Sequence, residues 1–330
     1  MNSTLGQDMA ANHTLIDNTN NTSRQPGEIH KLWVDLTINI FICLFTITGN
    51  GLLLWTVYKV ESLQTVTNMF IVNLSGVDLF TGVIVLPMAM ATNYVIPLIT
   101  GNYIQNKFVC LLKTFLLLSC NGLSVLGLIG IAIERYIAIL YPLRYINLMT
   151  VNKAKIFIVS LWVYILSITL IMFIDGLNVY QHGQQCTTNN TLEPSYFMLL
   201  KMNIFLPVLV TIIVYSKIAW VAYKHRVKIH SELASIDNAR AVAYKNEHSF
   251  MRTSTIVNVV FIIMYGQFMI ISSIKLSPEP EWYRTLWNVS SAILWLNSGV
   301  NPWIYAMRHK KFKKAMLFAL KIKPNEDDIA

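Results

Sequence analysis

Seven long apolar segments separated by short polar ones dominate the hydrophobic pattern of this chain. Each is nearly free of charged residues and close to the roughly 20 residues that a helix needs to cross about 30 Å of hydrocarbon. They cover Trp33–Tyr58, Val66–Val95, Phe108–Ile133, Ile156–Ile174, Pro194–Ser216, Thr253–Ile274 and Thr285–Met307. Because hydrocarbon offers the backbone amides no water, every crossing should be helical. The pattern predicts an all-α membrane protein, a bundle of seven transmembrane helices.

Composition supports a lipid environment, and charge orients the chain in it. Of the 330 residues, 54% are hydrophobic and 13% are charged, against about 25% charged in soluble domains. Most of the 26 Lys and Arg lie on the side of Lys59, Arg144, Arg226 and Lys311, which the positive-inside rule places in the cytoplasm together with the carboxyl terminus. The net charge of +9 then reflects topology and attraction to anionic membrane lipids. Binding of nucleic acid has no support.

The segments outside the seven spans are short. Residues 1–30 form a polar tail without the apolar core of a cleaved signal peptide, and we predict that it lies outside a plasma membrane that the chain crosses repeatedly. Residues 31–307 form one membrane domain. Residues 308–330 begin with a predicted amphipathic helix along the inner leaflet, with Phe312, Met316, Leu317 and Leu320 on its apolar face; the alternative is a solvated basic tail. Glycosylation sequons occur at Asn2, Asn12, Asn20, Asn21 and Asn189.

The four cysteines indicate a disulfide on the outer side. Cys110 lies at the outer end of the third span and Cys186 in the loop after the fourth, and both face the oxidising compartment. We predict that they pair, whereas Cys43 and Cys120 fall within spans and pack as small apolar residues. The sequence contains neither metal-ligand spacing nor a nucleophile motif, so an enzyme is not predicted.

A carboxylate in the second span predicts a polar network inside the membrane. Asp78 lies in the middle of that span, where an isolated charge is costly and marks function or helix contact. The predicted companions are Asn50, Ser124, Asn297, Ser298 and Asn301. Such oxygens suit a hydrated sodium ion, the one cofactor we expect; a purely structural hydrogen-bond network is the alternative.

Two further motifs lie near the cytoplasmic side. Glu134–Arg135–Tyr136 ends the third span, where the guanidinium of Arg135 can fork onto a carboxylate of Glu134 or Glu247. If Arg135 bonds a carboxylate in one state of the protein and is released in another, the motif acts as a switch. The alternative is that Arg135 only anchors the helix end at the cytoplasmic side of the membrane. In the seventh span Pro302, between Asn301 and Trp303, removes a backbone donor and distorts the helix. This kink, with Tyr305 below it, predicts a hinge.

Taken together, these residues resemble the rhodopsin-like, or class A, G-protein-coupled receptors over about residues 31 to 320. The motifs that carry the resemblance are Gly49–Asn50, Asn73, Leu74, Asp78, Cys110, Glu134–Arg135–Tyr136, Trp162, Pro207, Tyr215, Phe261, Asn301–Pro302, Tyr305 and Phe312. The resemblance implies that an extracellular ligand activates a heterotrimeric G protein through outward movement of the sixth helix. It also implies that Arg135 bonds Glu247 at rest, that Tyr215 and Tyr305 converge on activation, and that Val125, Pro207, Phe261 and Tyr265 connect pocket and switch.

The sixth span departs from the family pattern. Tyr265 and Gln267 stand where the family usually carries Trp and Pro, which predicts a straighter helix softened by Gly266. The altered motif keeps a second interpretation open, a decoy receptor that binds ligand without signalling. A transporter or channel is disfavoured because Asp78 alone is charged at mid-depth.

The sequence defines the ligand less closely than it defines the class of protein. Leu117 replaces the Asp that binds amines, and Trp295 replaces the Lys that would hold retinal. The inferred pocket wall consists of Leu117, Leu118, Asn121, Asn203, Tyr265, Phe268, Met269, Ser291 and Trp295. At the rim, Lys113, Lys275 and Arg284 could attract an anion, although Glu279 and Glu281 offset them and a solvated rim is the plainer interpretation. A non-aminergic small molecule is expected, with uncharged, acidic and short-peptide ligands all open.

Overall fold

The computed structural model describes residues 26–182, 184–232, 238–274, 280–308 and 310–322, with backbone alone for 26, 222–232, 238–252, 254 and 310. These ranges form an all-α bundle, as predicted. Its helices are α1 (Pro26–Lys59), α2 (Val66–Thr100), α3 (Lys107–Leu140), α4 (Val151–Leu170), α5 (Pro194–Glu232), α6 (Asn238–Ile271), α7 (Glu281–Arg308) and α8 (Lys310–Ala319). Short helical segments at Glu61–Leu63, Pro142–Leu148, Ile171–Phe173 and Thr188–Thr191 lie in the connections.

Membrane-crossing length and hydropathy differ among the helices. Within the described residues, α1 to α5 each contain a span that is long and apolar enough to cross a bilayer, and Thr255–Ile271 of α6 is apolar but shorter. Helix α7 is more polar because it carries an inward stripe of buried side chains, Ser290, Asn297, Ser298 and Asn301. Its opposite face stays apolar and exposed at Trp282 and Val289. A helix of this kind suits a bundle in which one face meets lipid and the other a polar interior.

Helix α2 is longer and less regular than its hydrophobic pattern predicts. It passes the expected end at Val95 and stops at Gly101, whose φ of 73° is a left-handed cap. Single π-helical turns at Thr81–Val85 and Ala91–Val95 precede Pro87 and Pro97. Because proline has no backbone donor, a wider turn beside it accommodates the lost hydrogen bond.

One apolar core joins most helices near the end of the bundle that holds Arg135, here called the Arg135 end. Its largest members, each essentially buried, are Leu53, Phe70, Ile71, Leu74, Leu128, Ile131, Phe261, Tyr305 and Phe312. Helix α8 packs into this core through Phe312 and Met316, in agreement with the predicted apolar face. Leu320 does not belong to that face, because the helix ends at Ala319 and Leu320 is 50% exposed.

Helices α1 and α7 approach closely at two glycines. A Cβ added at Gly299 would lie 2.7 Å from Phe45 Cδ1 and 2.9 Å from Thr46 Oγ1, and one at Gly49 would lie 2.8 Å from Trp303 Nε1. Phe45 stacks on Trp303 with ring centroids 5.3 Å apart. Small residues of this kind allow close packing where no hydrophobic effect draws helices together.

The opposite end of the bundle is covered by the connection between α4 and α5. Cys110 and Cys186 form the predicted disulfide, and both are essentially buried. An isolated antiparallel bridge joins Asn178 to Leu192 in the same connection. We call this the disulfide end. Cys43 and Cys120 are free and buried, as predicted.

Candidate functional site

Asp78 lies at the centre of a buried polar network. Its side chain is fully buried, its Oδ1 accepts a hydrogen bond from Ser124 Oγ at 3.0 Å, and its Oδ2 accepts one from Asn301 Nδ2 at 3.1 Å. Ser298, one turn before Asn301 on α7, is also buried. Three helices therefore meet at one carboxylate, and no salt bridge of the described residues includes it.

Asn50 extends the network to α1. Its Nδ2 donates to the carbonyls of Thr46 and Ser298, each at 2.9 Å. Asn50 Oδ1 and Thr46 Oγ1 are buried without a hydrogen-bond partner. Asn297 is buried beside Ser298 on α7. The predicted companions thus lie at one level of the bundle, and some of their oxygens keep unused acceptor capacity.

The Glu134 carboxylate organises the Arg135 end. Oε2 accepts from Arg135 Nε and Oε1 from Arg135 Nη2, both at 2.5 Å. Oε1 also accepts from Thr67 Oγ1 at 2.7 Å and from the Tyr145 hydroxyl at 2.5 Å. Tyr136 packs instead with Tyr215 at the junction of α3 and α5. Arg135 is therefore held in a bidentate pair, which is fixed in turn by α2 and the segment Pro142–Leu148.

Tyr145 and Thr67 are not among the functional residues predicted from the sequence. Burial, followed by the charge of Glu134, raises the pKa of Tyr145 to about 12. The phenol is therefore protonated near neutral pH and donates its hydrogen bond. A tyrosine shortly after the Glu–Arg–Tyr motif was the available signal, but only the fold of the connecting segment aims it at Glu134.

Near Arg135, buried tyrosines lie on α5 and α7. The hydroxyl of Tyr215 accepts a hydrogen bond from Asn258 Nδ2 of α6 at 2.8 Å, a contact that the sequence did not predict. Tyr305 packs against Phe312 with centroids 5.8 Å apart, and its hydroxyl is buried without a partner. The side chain of Glu247 lies outside the described residues, so its bond to Arg135 stays a prediction.

Three of the four predicted connector residues fall into one cluster. Val125, Phe261 and Tyr265 share the main core, and the rings of Phe261 and Tyr265 are 4.4 Å apart. Pro207 lies inside α5, where its carbonyl accepts from Thr211 Oγ1 at 2.9 Å. A packed path therefore joins the level of Tyr265 to that of Tyr305.

The two unusual residues of α6 both make contacts with neighbouring helices. The Tyr265 hydroxyl donates to Asn121 Oδ1 of α3 at 3.1 Å. Gln267 and Ser290 of α7 bond reciprocally: Gln267 Nε2 donates to the Ser290 carbonyl at 3.1 Å, and Ser290 Oγ donates to Gln267 Oε1 at 2.6 Å. Where a proline would bend the helix, this chain has a polar clamp between α6 and α7.

The predicted pocket wall is partly brought together. Leu117 and Trp295 both pack against one apolar cluster whose buried members lie on α2, α3 and α4, and Asn121 accepts a hydrogen bond from Tyr265. Phe268 packs on Trp287 with centroids 5.6 Å apart.

Other predicted wall residues point elsewhere. Leu118 packs on a separate cluster with Leu111, Tyr196 and Leu200. Asn203 accepts a hydrogen bond from Tyr164 of α4. Both lie toward α4 and α5, and the structure does not join them to the Leu117–Trp295 group. Ser291 is partly buried on α7, and the Met269 carbonyl caps the end of α6 by accepting from Ser272 and Ser273.

Comparison with known proteins identifies the family. Residues 49–305 match the 7 transmembrane receptor (rhodopsin family). The chain is 30% identical over 301 residues to the adenosine receptor A2a of Canis lupus familiaris, covering 86% of this chain and 71% of the relative. It is 28% identical over 302 residues to the adenosine receptor A2b of Bos taurus, and the match covers 85% of this chain and 87% of that receptor. It is 25% identical over 308 residues to the QRFP-like peptide receptor of Branchiostoma floridae, and the match covers 88% of this chain and 78% of that receptor.

The chain belongs to the rhodopsin family of seven-transmembrane receptors. It is a multi-pass plasma-membrane receptor that responds to an extracellular ligand and signals through G proteins, and it is not an enzyme. The predicted class and fold are confirmed. The glycosylation sites stay predictions: Asn189 is exposed, and the other four sequons lie outside the described residues.

Proposed function

We propose that this receptor binds a non-aminergic small molecule at the disulfide end and activates its G protein at the Arg135 end, with α6 moving outward there. The disulfide end and the amino terminus are extracellular, and the carboxyl terminus is cytoplasmic. The observation that carries the proposal is the packed path from Asn121 and Tyr265 through Phe261 to Tyr305. It joins the inferred ligand level to the G-protein level through side chains of α3, α6 and α7.

The ligand class follows from the pocket and not from the relatives. Two of the relatives are named for adenosine and one for a peptide, so their names do not choose between classes. Leu117 offers no carboxylate to a protonated amine, and Leu117 and Trp295 supply an apolar wall. A protonated amine would lose more hydration there than the wall returns.

A G-protein activation panel tests the proposal. Cells expressing the receptor are exposed to neutral, acidic, cationic and peptide compounds, and dissociation of each G-protein class is recorded. We expect activation by at least one non-aminergic small molecule, which Arg135→Ala abolishes at matched surface expression. Activation by amines or peptides alone would overturn the ligand class. Absence of coupling under every condition, basal activity included, would favour a decoy receptor.

We further propose that Asp78 holds a sodium ion at rest. A buried carboxylate that accepts only neutral donors, beside Asn50 and Thr46 oxygens without partners, fits a small cation that keeps some water. The ion would neutralise Asp78 and hold α2, α3 and α7 together. NaCl should raise the melting temperature of the purified receptor more than choline chloride at equal ionic strength, since a ligand that binds only the folded state stabilises it. Asp78→Asn should remove the difference; a sodium effect that persists in the variant would contradict the site.

A further inference from the structure

Lys113 of α3 is a buried cation near the disulfide end. It follows Cys110 by three residues and is 3% exposed. Its Nζ donates to the carbonyl of Cys186, which links the ammonium to the covering connection, and to Asn93 Oδ1 of α2 at 3.3 Å. Both acceptors are neutral. The ammonium is therefore enclosed by α2, α3 and the connection between α4 and α5.

The described carboxylates nearest this end of the bundle have other partners. Glu281 pairs with Lys31, and Asp175 lies 3.7 Å from Lys107. Asp35 accepts from Asn288 Nδ2 at 2.7 Å, and Glu193 accepts from the Tyr196 backbone at 2.9 Å. Lys113 forms no ion pair within the described residues.

A buried ammonium that contacts only carbonyl oxygens keeps most of its desolvation cost. Buried charges in proteins are normally paired, and an ionisable residue at membrane depth points to a functional site. One negative charge at Nζ would complete the pairing. A single Lys is a point charge without the fork that favours phosphate, so a monoanionic carboxylate suits it better than a dianion.

The surroundings also restrict the rest of the ligand. Leu117 and Asn121 lie one and two turns beyond Lys113 on the same side of α3, and Leu117 packs in the cluster that includes Trp295. Asn93 Nδ2 makes no hydrogen bond within the described residues, so it can donate to a second carboxylate oxygen. The arrangement fits an acid whose apolar body points toward Leu117 and Trp295.

From this arrangement we infer that the receptor recognises a carboxylic acid with an apolar or aromatic body, anchored by an ion pair to Lys113. This inference rests on the proposed function and narrows its ligand class. Such an acid can arrive from the aqueous phase or from the lipid bilayer. The chemistry at Lys113 is the same in both cases.

Thermal melting of the purified receptor in nanodiscs tests the anchor directly. The probes are phenylacetate and octanoate for the aqueous source, oleate for the lipid source, the primary amide of each, and benzyl phosphate. We expect at least one acid to raise the melting temperature while its amide does not. Stabilisation by phenylacetate or octanoate would indicate the aqueous source, and stabilisation by oleate alone would indicate the bilayer.

Variants separate an anchor from a structural lysine. Lys113→Met should weaken binding of the acid about 30-fold or more, the order expected on loss of one member of a buried charge pair. Lys113→Arg should restore much of it. Lys107→Met removes an exposed lysine of the same helix and should leave binding of the acid unchanged.

Several results would overturn the inference. The inference fails if no acid raises the melting temperature, if an acid and its amide raise it equally, or if benzyl phosphate alone raises it. It also fails if Lys113→Met responds to the acid as the unchanged receptor does. Arg135-dependent coupling seen alongside such a result would leave the proposed function standing. Absence of Arg135-dependent coupling would count against the proposed function, and G-protein activation measures it independently of acid binding.

Discussion

The α1–α7 interface and the α5–α6 interface are built differently. Between α1 and α7, a Cβ at Gly299 would meet Phe45 at 2.7 Å, and Asn50 donates to the Ser298 carbonyl at 2.9 Å. Over residues 194–221, whose side chains the structure describes, α5 buries one narrow stripe, Tyr196, Leu200, Thr211, Tyr215 and Ile218, and leaves the remaining faces largely exposed. Its hydrogen bonds to α6 and to the turn that follows α6 include Asn258 Nδ2 to the Tyr215 hydroxyl at 2.8 Å and Lys201 Nζ to the Ser272 carbonyl at 2.9 Å.

This difference shows where the bundle can rearrange. A seam in which a single added methyl group clashes cannot slide without repacking its neighbours. The α5–α6 seam can change by exchanging hydrogen bonds, since much of its surface faces the surroundings and not another helix. The network of Asp78 therefore lies on the rigid side, and the proposed movement of α6 lies on the adaptable side.

The largest expected effect comes from filling the rigid seam. Gly299→Ala should lower the free energy of unfolding by about 3 kcal/mol, because the new methyl group clashes with Phe45 and Thr46. The matched control is Gly266→Ala on α6, where an added Cβ has nothing within 4 Å. That control should stabilise the helix by about 0.5–1 kcal/mol. Thermal melting of both variants without ligand measures the difference, and equal effects would remove the contrast between the seams.

A smaller effect is expected at the Glu134 carboxylate, which holds Arg135 in place. Tyr145→Phe removes one hydrogen bond to the buried Glu134 carboxylate, at a cost of about 2 kcal/mol. Arg135 is then held less firmly, so basal G-protein activation should rise severalfold in cells. Tyr141→Phe, a change at a 45% exposed tyrosine in the same connection, serves as control. If both variants behave alike, the Glu134 cluster does not restrain Arg135.

The smallest effect concerns the polar clamp that Gln267 and Ser290 form between α6 and α7. Ser290→Ala removes the hydroxyl that bonds Gln267 Oε1 and should cost about 1 kcal/mol. Because the clamp holds α6 against α7, basal activation should increase about twofold to fivefold. Ser160→Ala removes a hydroxyl that bonds the Phe157 carbonyl of its own helix and should change neither quantity. A Ser290→Ala receptor with unaltered basal activity would mean that the clamp does not resist movement of α6.

Much of the polar network could be predicted from sequence spacing. Asp78, Ser124, Ser298 and Asn301 each stand out as polar residues inside apolar spans, and bundle geometry leaves them few partners except one another. Thr67, Tyr145 and Asn258 could not be found in this way. Their residue types are common near helix ends and within bundles, and their roles depend on helix rotation and on the path of a connecting segment.

The α6 motif shows the same division. The absence of Trp and Pro at Tyr265 and Gln267 is visible in the sequence and predicts a straighter helix. That Gln267 reaches Ser290, and that Tyr265 reaches Asn121, follows only from how α6 is rotated against α7 and α3. Both contacts join residues far apart in the chain, and no local periodicity encodes them.

The sequence by itself determined the seven apolar spans, the disulfide between Cys110 and Cys186, and the class of receptor, because hydrophobic length, cysteine compartment and motif order are properties of the linear chain. Tertiary structure alone decided that Lys113 is enclosed by Asn93 and Cys186 and not solvated at the rim. It also decided that Asn203 turns toward Tyr164. Such outcomes depend on which helices become neighbours and how each is rotated, and packing fixes both at once.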